Sequence, residues 1–159
     1  MRLFLQFIVL SFAALAGVNP QLTQVRSIYI LSMGSQMDQF LANRLSRMGM
    51  IQVAADPQSA DAILTDRLGE GLEKKLDELY PAPVKDEDED SDVKKDEQSQ
   101  LRASSFGRGK GTYFIVDRKT RNVLWSIYAR PKNSGDDELD KTAERIVSRL
   151  KKDLKPAGQ

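Results

Sequence analysis

The chain has 159 residues, 24 lysines and arginines against 23 aspartates and glutamates, and neither histidine nor cysteine. That length fits one domain able to bury a core without disulfides or metals, and the near-neutral charge gives no global field toward nucleic acid or membrane. The two missing residue types remove thiol catalysis, zinc–thiolate sites, disulfides, and the commonest general base and metal ligand, so no cofactor is expected.

In chain order, Arg2 precedes an apolar run over residues 3–12 that is interrupted only by Gln6 and Ser11, and Ala14-Leu15-Ala16 follows as a small-x-small site. This pattern predicts an export signal over residues 1–16, cleaved after Ala16, and a mature domain over residues 17–159 in the periplasm or outside the cell. The run is short for a bilayer crossing, so no membrane span is expected after cleavage. No cysteine follows the leader to carry a lipid.

Residues 26–31 are rich in β-branched and aromatic side chains and predict a first strand. Ser35 with Asp38 three residues on forms a capping box. Met37, Phe40, Leu41, Leu45 and Met48 then recur at helical spacing, up to a helix-ending Gly49. Residues 50–54 predict a second strand, and Asp56-Pro57 a turn. Residues 60–65 predict a third strand whose polar ends suggest a sheet edge or a tight helix contact. Leu68, Leu72, Leu76 and Leu79 mark a second helix, with Asp66 as its N-cap and Pro81 as its stop.

Residues 81–105 show no hydrophobic period. Between Lys85 and Glu97 the net charge is −5, which leaves +6 for the rest of the chain. This stretch reads as a disordered acidic insert, without the glycine turn and ligand spacing of a calcium loop. Residues 111–117 and 123–130 flank a polar turn and predict a β-hairpin. Strict alternation in its second arm puts Val123, Trp125, Ile127 and Ala129 on one face, and Leu124, Ser126, Tyr128 and Arg130 on the other. A final helix begins at a cap in residues 134–137 and carries Leu139, Ala143, Ile146, Val147, Leu150 and Leu154 on its buried stripe. The order is strand, helix, strand, strand, helix, acidic loop, strand, strand, helix. It predicts a single small mixed α/β (α+β) sheet of about five strands with three helices.

Three groups of residues could carry chemistry. The glycine-rich basic segment 106–111 offers Arg108 and Lys110, and the hairpin turn adds Arg118, Lys119 and Arg121, together a tentative ligand-binding set for an anion. Phosphate fingerprints follow a strand and open a helix, whereas this segment precedes a strand, so a soluble entry into the hairpin is the alternative reading. Asp61, Asp66 and Asp117 lie near strand ends, but no nucleophile–base pair can be assembled from them, and no catalytic residue is assigned. Tyr113, Trp125 and Tyr128 could stack on a ligand, although core packing and cross-strand pairing suit them better.

The segment Val116-Asp117-Arg118-Lys119-Thr120, followed by Val123-Leu124-Trp125-Ser126, resembles the V-D-x-x-T-G-x-V-x-W-S hairpin of CsgG-like and TolB amino-terminal-like envelope domains. Arg121-Asn122 stands where such hairpins often carry a glycine. Residues 62–81 and 106–133 resemble a group of short secreted bacterial α/β proteins of unassigned function. The resemblance implies an envelope compartment, an α/β fold and service in assembly, and it transfers no catalytic residue. The resulting expectation is an exported, non-catalytic binding module with an envelope protein partner. The alternative is a small-molecule or polyanion-binding domain that uses the basic residues above.

Overall fold

The computed structural model describes residues 19–81 and 111–155. The leader, the acidic stretch, Arg108 and Lys110 lie outside these residues. Five strands form one mixed sheet: β1 (Ser27–Ile30), β2 (Gln52–Val53), β3 (Ala62–Thr65), β4 (Thr112–Asp117) and β5 (Val123–Tyr128). Their spatial order is β2-β1-β3-β4-β5. β1 runs parallel to β2 and β3, while β4 is antiparallel to both β3 and β5. Among the described residues three α-helices accompany them: α1 (Met37–Met48), α2 (Glu70–Leu79) and α3 (Asp136–Leu154). The mixed five-stranded architecture with three helices is the one that the hydrophobic periodicity predicts.

The sheet separates two cores. On one side Ile28, Ala62, Leu64, Tyr113, Ile115 and Trp125 pack under Leu41 and Leu45 of α1 and Ile146 and Leu150 of α3. On the other, Ile63 and Val116 meet Leu72 and Leu76 of α2. Arg44 of α1 holds Asp140 of α3 through Nε at 2.8 Å and through Nη2, so the two helices on the larger core are also tied at their rim.

β3 lies at the centre of the sheet, and all four of its residues are buried. Of the sheet edge and the helix contact that its ends suggest, the edge is therefore corrected, and the strand is covered by helices on both faces. β2 is two residues long, shorter than its composition predicts.

The caps also differ from expectation. Ser35 and Gln36 both adopt left-handed conformations (φ 55° and 58°), and neither side chain caps α1. Asp38 instead accepts the Met33 N–H at 3.1 Å, which ties the first turn of α1 to the chain leaving β1. α1 does end at Gly49, at φ 70°. α2 begins at Glu70, four residues after Asp66, with its N-cap at Gly69, whose φ 77° and ψ −154° belong to glycine. Leu68 consequently lies outside the helix and is exposed. Ser134 makes no cap for α3; Glu138 reaches back to the Lys132 N–H at 3.2 Å.

Alternation in β5 is broken by a register shift. Ile115 pairs with Trp125 but Val116 pairs with Val123, so Leu124 is an extra residue and joins Trp125 in the larger core. Val123 is left exposed. At the far end of the hairpin, a Cβ on Gly111 would lie 2.7 Å from Cβ of Arg130, so only glycine allows the two strands to meet there.

Candidate functional site

The β4–β5 turn is built by Asp117. Its Oδ1 accepts the N–H groups of Lys119 at 2.9 Å and Thr120 at 2.6 Å, and its carbonyl accepts the Arg121 N–H at 3.0 Å. The chain then passes through Arg121 at φ 61° and closes with Asp117 N–H on the Asn122 carbonyl at 2.9 Å. This is the left-handed position that follows a tight turn and favours glycine.

Arg118 reaches from that turn toward the β2–β3 connection and the end of α2. Its Nη1 donates to the Gln58 carbonyl at 2.6 Å, and its guanidinium carbon stands 5.5 Å from the centre of the Tyr80 ring. The Tyr80 hydroxyl donates to the Pro57 carbonyl at 2.7 Å, and Gln58 Nε2 donates to the Leu79 carbonyl at 2.7 Å. Burial pushes the Tyr80 hydroxyl up from its ordinary value, against the lowering charges of Arg118 and Arg121. Three segments distant in sequence are thus stitched together around one tyrosine.

Asp61 and Asp117 lie at this same end of the sheet. Asp61 Oδ2 accepts both the Arg26 and Ser27 N–H groups at 3.0 Å and the Ser27 hydroxyl at 3.1 Å. Desolvation pushes each carboxyl up, but these donors at Asp61, and those of Thr120 and Lys119 at Asp117, hold both below the usual carboxylate range. Both are ionised acceptors with their partners in place, an arrangement that suits structure better than proton transfer at neutral pH. Asp66 follows the opposite end of β3, beside Arg67 Nε at 3.1 Å. Its charge adds to burial in raising the Tyr113 hydroxyl.

Of the basic residues named from sequence, the structure brings Arg118 and Arg121 to the surroundings of Tyr80, while Lys119 is exposed to solvent. Arg118 is already engaged. Arg121 is half-buried, and among the described residues its Nη1 is buried without a hydrogen-bond partner. Gly111, where the glycine-rich segment enters β4, lies at the other end of a six-residue strand, roughly 20 Å from the turn. Tyr80, Pro57 and Gln58 were not singled out in the sequence; the one available signal is an aromatic residue placed directly before a helix-ending proline. Tyr113 and Trp125 are core residues as expected, whereas Tyr128 is 67% exposed and is not.

Among the described residues no three metal-ligating side chains converge, and no helix is long and apolar enough to cross a membrane. Fold and site together describe a mixed α/β sheet domain with helices on both faces. No protein-family model, curated protein or solved structure matches the chain.

Proposed function

We propose that the chain is an exported, non-catalytic binding module that joins a protein partner of the bacterial envelope. The observation that carries this reading is β5, an edge strand of the sheet among the described residues. Globular proteins guard sheet edges with short strands, prolines, charges or bulges, and the opposite edge, β2, has only two residues. β5 has six (Val-Leu-Trp-Ser-Ile-Tyr), with neither charge nor proline, and its bulge lies at the turn end, leaving Trp125–Tyr128 in regular register. Val123 and Tyr128 are 43% and 67% exposed. An added strand from a partner would pair with this edge through its backbone and cover Tyr128 with a side chain.

Other features agree. The leader pattern supports export, and the hairpin's resemblance to envelope domains supports the compartment. The hydrogen-bonded states of Asp61 and Asp117 favour binding over catalysis. A photo-crosslinking residue placed at Tyr128 in intact cells of the source organism tests the reading. It should capture a discrete envelope protein that the same probe at Gln39, exposed on α1, does not. Capture of nothing, of the same proteins from both positions, or of a second copy alone would reject it.

A further inference from the structure

We propose that Arg121, at the β4–β5 turn, is the primary ligand of an oxyanion-binding site that takes a carboxylate or a phosphate group. This goes beyond the edge-strand reading and uses different residues.

Two independent observations point to the Arg121 side chain. The first is its backbone. At φ 61° a glycine would be free of Cβ strain, whereas an arginine is not. Ser35 and Gln36 share this left-handed conformation, so the turn's geometry does not call for an arginine in particular. An outlier of this kind is a reasonable starting point for a functional hypothesis.

The second is the guanidinium. Arg121 has no carboxylate within ion-pair distance among the described residues, and neither has Arg118. The charges of both arginines reach Tyr80, together with that of Asp56, and the charge of Arg118 also reaches Asp61. Arg118 cannot easily turn away, because the Gln58 carbonyl and the Tyr80 ring both hold it. Arg121 is different. Its Nη1 is buried with no acceptor, so swinging that nitrogen outward gives up no protein hydrogen bond there. Meeting an oxyanion would then supply charge-assisted bonds in the planar, forked geometry that guanidinium groups favour. Asp117 does not serve as the anion: its Oδ1 accepts the turn amides, and among the described residues it forms no ion pair with Arg121.

The test uses the full chain, labelled with nitrogen-15, and two probes: inorganic phosphate and a hexaglutamate peptide. Resonances of the Arg121 side-chain N–H and of the amides of residues 118–122 are followed during each titration. Wild type should show a saturable shift at these positions with at least one probe, weakened as sodium chloride is raised. Response to phosphate alone assigns a small oxyanion, and response to the peptide alone assigns a carboxylate-bearing segment. Arg121→Gly should bind about tenfold or more weakly, because it loses the charge-assisted donors, while its melting temperature stays level or rises. Arg121→Gln, which keeps an amide donor and the backbone strain, should lose binding without that gain in stability. Absence of a saturable shift with both probes, or equal binding by Arg121→Gly, would overturn the proposal. So would a marked drop in the melting temperature of Arg121→Gly, since the side chain would then be serving the packing of the turn.

Discussion

Asp61 illustrates how a carboxylate near a strand end can be structural. Its Oδ2 gathers three donors from Arg26 and Ser27, at the start of β1, and the charge of Arg118 adds to them. Asp61→Ala should therefore destabilise the fold by about 1 kcal/mol near neutral pH, a value kept low because the site is open to solvent. The folded carboxyl lies below its ordinary value, so its contribution is complete above the unfolded pKa and is lost as pH falls through the folded one. Urea unfolding of wild type and variant should show a gap at about pH 7 that closes as the pH falls below the usual carboxylate range. A gap that persists in acid would mean that the side chain acts by shape and not by charge. The hydrogen-bonding partners of Asp61 lie 34 and 35 residues away, which is why its spacing to other acids in the sequence carries no information about its role.

Among the elements, the β4–β5 hairpin carries the most instructive departure from a period of two. Trp125 is held by its face and by its edge: the ring lies in the larger core, and Nε1 donates to Asp153 Oδ2 at 2.9 Å. The same oxygen accepts Arg149 Nε at 2.9 Å, so it keeps a partner if the indole is removed. Trp125→Phe should accordingly cost only about 1–2 kcal/mol, whereas Trp125→Ala, which also opens a cavity under α3, should cost about 3–5 kcal/mol. Equal losses in a denaturation series would show that the hydrogen bond outweighs the ring. The position of Trp125 in the core was readable from alternation. Leu124 was not, because a bulge shifts one residue across the sheet without any glycine or proline to announce it. The N-termini of α1 and α2 were misread for a related reason. Ser35 and Asp66 are good caps in isolation, but the N-cap positions fall at Gln36 and Gly69, both in conformations of positive φ and neither with a side-chain cap hydrogen bond.

At the scale of the molecule, hydrophobic periodicity disclosed the order of elements but not the order of strands, which depends on contacts between residues far apart in sequence. The basic turn is a second case: Arg118 meets Gln58 and Tyr80 only because β3 lies beside β4. The resulting sheet is covered unequally. Among the described residues, α1 and α3 share a large core on one face, whereas α2 contributes only Leu72 and Leu76 as buried residues to the five-residue cluster on the other. α2 also contains Gly71, which weakens it by about 0.5–1 kcal/mol relative to alanine. Local opening is easiest where few apolar contacts must be broken. Native-state hydrogen exchange should therefore find α2 amides opening at a lower free energy, and with a smaller denaturant dependence, than those of α1, β3 and α3. Gly71→Ala sharpens the test, because the nearest atom to the added Cβ, Cδ of Arg67, is 4.0 Å away and nothing obstructs the methyl group. The variant should raise protection in α2 by about 0.5–1 kcal/mol while leaving α1 and α3 nearly unchanged. If instead all three helices exchange with one common free energy and respond together to the substitution, the two faces form a single cooperative unit, and the unequal burial does not divide the stability of the domain.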